Sequence, residues 1–228
     1  MREIVLDTET TGFDPHTGDR IVEIGAVELM RHVATGNTYH QYINPERGMP
    51  HEAFEVHGLG DDFLRDKPKF AHIGQAFVDF IGDSKLIIHN AAFDIKFLNF
   101  ELSKMSLRQI PWEQAIDTLA IARKKFPGSP SSLDALCRRF GIDNSSRTLH
   151  GALLDSEILA EVYLELIGGK QPDFGLSTRV EPKDGENQNE WTPRSRPTPL
   201  PPRLTEKENA AHAEFVSKLG GDVLWLKT

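Results

Sequence analysis

The stretch Ile4-Val-Leu-Asp-Thr-Glu-Thr-Thr-Gly12 predicts a β-strand that runs from apolar residues into two carboxylates, Asp7 and Glu9. Side chains alternate between the two faces of a strand, so Asp7 and Glu9 point the same way. Two like charges on one face of a packed sheet repel each other and resist the loss of water unless they share a cation. We therefore expect a divalent metal ion beside them. The alternative is a solvated edge strand that happens to be acidic.

Length and composition indicate the class of protein. The chain has 228 residues, 39% of them hydrophobic, which suffices for one domain of ordinary size with an appendage. It contains no run of about 18 apolar residues that would predict a membrane span, and its N-terminus lacks the pattern of a signal peptide. The single cysteine, Cys137, cannot form an internal disulfide and is spaced as a core residue of a helix. These features predict a cytoplasmic protein.

The negative charge is concentrated in the first part of the chain. Residues 1–168 carry 25 acidic and 17 basic side chains, a net charge of −8, whereas residues 169–228 carry 9 of each. Affinity for nucleic acids comes mainly from the neutralisation of phosphates, so an acidic body binds them weakly by itself. If the protein acts on nucleic acid, metal ions or a partner must help.

Composition divides the chain into three predicted segments. Residues 1–168 have the patterns of a folded domain, and residues 169–204 form a proline-rich flexible linker, because 7 of the 14 prolines lie there and no apolar face repeats. Residues 205–228 form a C-terminal segment in which Thr205 and Glu208 are typical of a helix N-terminus. Its apolar tip, Gly220–Lys227, either docks on the domain as a strand or anchors on another protein. The long linker before it favours the second interpretation.

Alternating strand and helix patterns predict an α/β fold for residues 1–168. Strands at 3–7, 21–29 and 39–43, with a turn at Gly36-Asn37, predict an antiparallel N-terminal meander. A helix at 70–81, a strand at 85–89, a helix at 92–104, a strand at 115–118 and helices up to residue 166 follow. This order predicts a mixed five-stranded sheet flanked by helices.

Two further acids interrupt the apolar faces of predicted helices. Asp94 has Phe97 and Leu98 at the next positions of its face, which places its carboxylate toward the core; the alternative is an acid that complements the helix dipole. Asp155 lies within a similar apolar stripe. His150 lies five residues earlier, at or just before the start of that helix, so we expect it near the same place but more exposed. That position suits a general base, although a lone histidine is more often structural.

These five residues, in this order, resemble the signature of the DEDDh exonuclease superfamily. Asp7 and Glu9 match its first motif, Asp94 its second, and His150 with Asp155 its third, a spacing unlike that of the branch that uses tyrosine. Within the superfamily the chain resembles the proofreading subunits of bacterial DNA polymerase III almost throughout the domain. The motifs that carry this likeness include Ile88-His-Asn-Ala-Ala-Phe-Asp94, Leu149-His-Gly-Ala-Leu-Leu-Asp155 and the tail sequence Gly220-Gly-x-x-Leu-Trp225. The resemblance implies a ribonuclease H-like fold and a 3′–5′ DNA exonuclease.

The resemblance also implies ligands and roles for individual residues. Four carboxylates would hold two ions of Mg²⁺ or Mn²⁺, because oxygen ligands suit hard cations: Asp7, Glu9, Asp94 and Asp155. His150 would take a proton from the attacking water, since a histidine pKa of roughly 6.5 leaves it neutral near pH 7. The implied contacts with the terminal nucleotide are Asp7, Glu9, Thr10, Gly12, Glu52, His57, Phe93 and Asp155. For Gly12 a turn, and for Phe93 a place in the core, are the alternatives.

Partners and location follow from the same resemblance. The substrate would be a single-stranded or frayed 3′ end of DNA in the cytoplasmic, nucleoid-associated replisome. Residues 205–228 would bind the polymerase alpha subunit, with Leu224 and Trp225 as anchors. The peptide Gln171-Pro-Asp-Phe-Gly-Leu176 is either a sliding-clamp motif or plain linker, and a theta-type subunit is implied by the family alone. An exoribonuclease and a non-catalytic scaffold are the alternative functions; four converging carboxylates argue against the scaffold.

Overall fold

The computed structural model describes residues 1–147, 149–169 and 204–218. The first two ranges belong to one unit of the chain and the third to another, and each unit is described by itself. The predicted clamp peptide 171–176 and the predicted anchors Leu224 and Trp225 lie outside the described residues.

Five strands form one mixed sheet in the order β3-β2-β1-β4-β5. The strands are β1 Arg2–Thr10, β2 Ile21–Met30, β3 Val33–Tyr42, β4 Lys85–Ile88 and β5 Ala115–Asp117. The central strand β1 pairs antiparallel with β2 and parallel with β4, and β4 pairs parallel with β5. The predicted mixed sheet with its antiparallel N-terminal meander is therefore confirmed.

Helices cover both faces of this sheet. The helices of the first unit are α1 His51–His57, α2 Asp61–Leu64, α3 Phe70–Ile81, α4 Ala91–Lys104, α5 Thr118–Lys125, α6 Leu133–Phe140 and α7 Ala152–Leu166, with short 3₁₀ turns at Pro15–Thr17 and Trp112–Gln114. Ile4 and Leu6 of β1 share a core with α3 and α4, whereas Val5 shares a second core with α6 and α7. Because faces alternate along a strand, Asp7 and Glu9 continue the face of Val5, toward α7.

The turn between β2 and β3 corrects the sequence prediction. The chain reverses at Arg31 and His32, whose φ angles are 52° and 66°, and β3 already begins at Val33. The turn predicted at Gly36-Asn37 is wrong, because that pair lies inside β3. A glycine beside an asparagine is a strong turn signal, whereas arginine rarely adopts positive φ, so Arg31 and His32 give little local sign of a turn. A prediction from local composition therefore puts the turn too far along the chain.

Helix α8, Glu206–Lys218, represents the second unit. The predicted helix start is confirmed: the hydroxyl of Thr205 accepts from the backbone N–H of Glu208, and the Glu208 carboxylate accepts from the backbone N–H of Thr205 at 2.8 Å. Among the described residues, no helix is both long and apolar enough to cross a membrane.

Candidate active site

The end of β1 presents two carboxylates toward the start of α7. Asp7 is half-buried, and Glu9 is 7% exposed. Asp155, in the first turn of α7, is 3% exposed. The predicted shared face of Asp7 and Glu9 thus meets the predicted inward acid of α7.

Close packing of α7 on β2 brings Asp155 to this position. A Cβ atom on Gly25 would collide with the backbone at Ala152, so the helix approaches the sheet where a side chain is missing. The Ser156 hydroxyl donates to the Gly25 carbonyl at 2.9 Å, and Glu23 accepts from the Ala152 N–H at 3.2 Å. Glu23 therefore satisfies a free backbone donor at the N-terminus of α7 and helps to fix its first turn.

Asp94 reaches the strand end from α4, on the opposite face of the sheet. It lies in the first turn of α4 and is 3% exposed, as its place on the apolar face predicts. The Thr8 hydroxyl, which points to the α4 side of β1, donates to Asp94 Oδ1 at 2.7 Å. The end of β1 therefore lies between one carboxylate from α4 and one from α7.

His150 lies beside Asp155 just before α7 begins. Its side chain is 48% exposed, and its Nδ1 is 3.8 Å from Asp155 Oδ2. Its backbone N–H donates to the Val56 carbonyl at 3.0 Å, which ties this segment to the end of α1. Candidate ligand atoms of Glu9, His150 and Asp155 all lie within 4.8 Å of one another. The predicted position, near Asp155 and more exposed, is confirmed.

Crowding of the carboxylates changes their proton affinities. Burial raises the pKa of Asp7 well above its ordinary value, and the charges of Asp94, Glu9 and Asp155 raise it further. Burial raises the pKa of Glu9 to about 8, with the charge of Asp155 next in effect. Burial also raises the pKa of Asp94 to about 7, although the hydrogen bond from Thr8 opposes the shift. Such a cluster holds its full negative charge only beside cations, so it fits hard divalent ions.

Arg147 is a site residue that the sequence analysis missed. Its Nε and Nη2 atoms bond both oxygens of Asp155, with Nη2 2.7 Å from Oδ2. Its Nη1 donates to Asp134 Oδ1 at 3.1 Å, and Nη2 donates to His150 Nδ1 at 3.1 Å. This positive charge offsets part of the rise in the pKa of both β1 carboxylates. The signal in the sequence was a lone cation three residues before His150, in the same motif.

The imidazole of His150 is kept neutral by its surroundings. Burial lowers its pKa below the ordinary 6.5, and the charge of Arg147 lowers it further, while Asp155 opposes both. Because an arginine side chain only donates, the lone pair of Nδ1 must face it. At neutral pH the ring therefore accepts from Arg147 through Nδ1, the nitrogen that lies on the side of Asp155.

Two of the predicted substrate contacts lie at the strand end. Thr10 ends β1, is buried, and its hydroxyl donates to the Gly12 carbonyl at 2.6 Å. The carboxylate of Asp19 lies where a side chain on Gly12 would be, so a larger residue would have to push Asp19 away from the Asp14 N–H and from Arg47. This accounts for the residue type at Gly12, and its contact with a nucleotide stays a prediction.

The other predicted contacts differ in position. His57 is 5% exposed, and its Nδ1 accepts from the Leu59 N–H at 3.0 Å. Burial lowers the pKa of His57, a backbone bond at Thr10 opposes this shift, and the proximity of His150 lowers the pKa further, so His57 borders the site. Glu52 is exposed on α1, and Phe93 packs on the core with its ring 5.0 Å from that of Phe97. No bond joins Glu52 or Phe93 to the carboxylates within the described part of the chain.

Comparison with known proteins agrees with this geometry. The model of the exonuclease family matches residues 4–163. DNA polymerase III subunit epsilon of Rickettsia conorii is 50% identical over 222 residues, covering 96% of both chains. The same subunit of Escherichia coli is 47% identical over 236 residues, covering 98% of this chain and 97% of the relative. The chain therefore belongs to the exonuclease family and, within it, to the epsilon subunits of DNA polymerase III.

Solved structures agree with the fold. Exonuclease X in complex with 5′ overhanging duplex DNA is 26% identical, with a TM-score of 0.57 over 72% of this chain and 90% of that one. The nuclease domain of 3′hExo, a DEDDh family member bound to rAMP, shares the fold with a TM-score of 0.62 at 21% identity, over 73% of this chain and 91% of that one. The predicted ribonuclease H-like fold is confirmed, and the protein is a nuclease of a family that depends on metal ions.

Proposed function

We propose that this protein removes nucleotides from the 3′ ends of DNA and serves as the proofreading exonuclease of DNA polymerase III. The observation that carries this proposal is the meeting of buried carboxylates from β1, α4 and α7 at one strand end, with raised pKa values at Asp7, Glu9 and Asp94. A scaffold protein has no physical use for such a cluster, because it costs stability when no cation is present.

Four acids would hold two divalent ions, Mg²⁺ or Mn²⁺: Asp7, Glu9, Asp94 and Asp155. When bound, such ions activate a water molecule and stabilise the charge on the leaving 3′ oxygen. The protein supplies rigidity for this task. The strand places Asp7 and Glu9, the hydroxyl of Thr8 orients Asp94, and the packing of α7 on β2 places Asp155.

His150 would act as the general base in this reaction. Its lowered pKa keeps it unprotonated at neutral pH, and its Nδ1 faces the carboxylates. Nearly half of its side chain is exposed, so a proton taken from water can pass on to solvent. Within the described residues, Arg147 is the one protein group that donates a hydrogen bond to Nδ1 of His150.

The binding of the terminal nucleotide is assigned to Asp7, Glu9, Thr10, Gly12, Glu52, His57, Phe93 and Asp155. Thr10 and His57 have the better support, because Thr10 directly follows Glu9 at the end of β1 and His57 lies close to Thr10 and His150. A site with few base-specific groups suits an enzyme that must remove any nucleotide. Selection for mismatches would then come from fraying, since an unpaired end costs less to unstack.

The partners follow from family membership and from the charge of the chain. Residues 1–168 would form the exonuclease domain and residues 169–204 a flexible tether, with residues 205–228 bound to the polymerase alpha subunit. A tether of this length keeps the acidic domain near DNA, so local concentration replaces intrinsic affinity. A sliding-clamp contact through residues 171–176 and a theta-type subunit complete the proposed assembly in the cytoplasmic replisome.

The exonuclease proposal is tested with the full-length protein, Mg²⁺ or Mn²⁺, and end-labelled primers. We expect stepwise loss of 3′ nucleotides, faster from a mismatched DNA end than from a matched one, and no loss with EDTA or in Asp7→Ala. An intact primer, or normal digestion by Asp7→Ala, would refute the proposal. Faster digestion of RNA of the same sequence would favour an exoribonuclease instead.

The tether proposal has its own test. The double variant Leu224→Ala with Trp225→Ala should lose at least about tenfold in affinity for the polymerase alpha subunit, because apolar anchors carry most of such binding energy. Its digestion of free primers should match that of the wild-type protein. Lys227→Ala serves as the control in the same segment, and equal binding by all three proteins would contradict the proposal.

A further inference from the structure

The guanidinium of Arg147 takes up both oxygens of a proposed metal ligand. Its Nε and Nη2 atoms pair with Oδ1 and Oδ2 of Asp155, and its side chain is 9% exposed. A bidentate pair of this kind combines two charged hydrogen bonds in a planar fork, which a lysine cannot reproduce. A divalent ion that approaches Asp155 therefore meets a competing cation on the same oxygens.

The same guanidinium engages the proposed base. Nη2 of Arg147 donates to Nδ1 of His150 at 3.1 Å, and an arginine side chain has no acceptor to offer in return. The lone pair of His150 that faces the carboxylates is thus already occupied. One side chain holds a metal ligand and a base together in a resting arrangement.

Arg147 also has an anchor outside the carboxylate cluster. Nη1 donates to Asp134 Oδ1, which lies in the first turn of α6 and accepts from Asn144 Nδ2 at 2.9 Å as well. Arg147 itself lies between α6 and α7, in neither a helix nor a strand. The guanidinium therefore has a second carboxylate to hold when it leaves Asp155.

We propose that Arg147 is the counter-cation of the metal-free site. It pairs with Asp155 and His150 while no ion is bound, and divalent ions displace it from both, so it sets the metal concentration at which the site fills. This rests on the proposed function, because it takes Asp155 as a metal ligand. A guanidinium and a metal ion that need the same two oxygens bind in competition, so each weakens the binding of the other.

The test measures the binding of Mn²⁺ to the full-length protein by titration calorimetry, without DNA. We expect Arg147→Met to bind Mn²⁺ about tenfold more tightly than the wild type, a coupling of typical size for two linked sites. Its metal-free melting temperature should be lower and its gain on adding Mn²⁺ larger. Arg139→Met is the matched control, because this substitution changes the net charge by the same amount. The guanidinium of Arg139 stacks on the ring of Phe126, 4.2 Å from its centroid. The Mn²⁺ affinity of this control should stay within about twofold of the wild type.

Equal or weaker binding of Mn²⁺ by a folded Arg147→Met protein would overturn the proposal. If that variant fails to fold without metal, the wild-type protein is titrated with Mg²⁺ instead, and NMR records the Nε–H resonance of Arg147. A shift or loss of this resonance supports displacement, and an unchanged resonance refutes it. If the wild-type protein binds no Mn²⁺, the proposed metal site itself is refuted. If the wild type binds Mn²⁺ and Arg147→Met does not change the affinity, only the role of Arg147 as counter-cation is refuted.

Discussion

Gly25 lies directly opposite Asp7 in the pairing of β2 with β1. The missing side chain at Gly25 lets the backbone of Ala152 and Leu153 rest on the sheet at this point. Helix α7 therefore begins beside the end of β1, and the charge of Asp155 acts on Asp7. A position that touches no substrate in the proposed mechanism thus decides whether the carboxylates meet.

Gly25→Ala should impair both folding and catalysis. Its Cβ atom would collide with main-chain atoms that cannot rotate away, so α7 must shift, at a cost of about 1–3 kcal/mol in the free energy of unfolding. Because a shift of about 1 Å in a catalytic group costs on the order of a hundredfold in rate, we expect kcat on a DNA primer to fall to a similar extent. Urea unfolding and primer digestion measure the two effects.

Gly48→Ala is the control, because a Cβ atom on Gly48 would meet no other atom within 4 Å. It should keep wild-type stability and activity. Equal behaviour of the two alanine variants would show that the approach of α7 to β2 does not position the site.

The buried carboxylates should make the metal-free protein less stable as pH rises. The pKa of Asp94 is raised from 3.8 to about 7 in the folded protein. Between these values the folded protein keeps a proton that the unfolded chain has released. The free energy of unfolding therefore falls with increasing pH, by up to about 1.4 kcal/mol per pH unit for one such group.

Asp94→Asn isolates this effect in EDTA. Asparagine does not ionise, so the free energy of unfolding of the variant relative to that of the wild type should rise steadily from about pH 4 to about pH 7, as measured by urea unfolding. Saturating Mg²⁺ should reduce the difference, because bound ions favour the ionised carboxylates of the wild type. A stability difference that is independent of pH in EDTA would contradict the raised pKa of Asp94.

The sequence predicted the parts of the site that interrupt a local pattern. Asp7 and Glu9 end an apolar strand, and Asp94 and Asp155 fall within apolar helix faces, so each acid stands out against its own neighbours. The helix predicted around Phe70–Ile81 is confirmed as well, because a regular apolar periodicity is also a local signal.

Features that depend on distant parts of the chain were not predictable in this way. Arg147 has three partners whose proximity depends on the path of an irregular segment between α6 and α7. The turn at Arg31 and His32 has positive φ angles without the usual residue types, because strand pairing on both sides determines it. In both cases long-range packing overrides the local signal.

His150→Gln should remove the general base and leave the metal ligands in place. We expect kcat to fall by about 10²–10⁴-fold, with Mn²⁺ binding and the melting temperature close to wild type. At saturating Mg²⁺, which keeps the carboxylates ionised, kcat/KM of the wild type should decline only at pH values below the ordinary histidine range, because the pKa of His150 is lowered, and this decline should be absent in the variant. His51→Gln, on the exposed end of α1 beside Glu55, is the control and should retain full activity. Comparable rates for the two variants would rule out His150 as the base.

Tyr163→Phe should separate stability from catalysis. Glu3 is fully buried near the start of β1, about 20 Å along the strand from Glu9 at roughly 3.3 Å per residue. The hydroxyl of Tyr163 donates to Glu3 Oε1 at 3.1 Å, and His32 Nδ1 lies 2.8 Å from Oε2. Removal of the hydroxyl leaves a buried carboxyl oxygen without its donor, which costs about 1–3 kcal/mol.

Urea unfolding at neutral pH should show this loss in Tyr163→Phe, while the rate of primer digestion per folded molecule stays at the wild-type value. Tyr42→Phe is the matched control, because the ring of Tyr42 contacts Phe63 and its hydroxyl has no hydrogen bond within the described ranges. If Tyr163→Phe is as stable as Tyr42→Phe, the Glu3 carboxyl does not depend on the tyrosine. If digestion slows with stability, α7 transmits the change from Tyr163 to Asp155, because both residues lie on that helix.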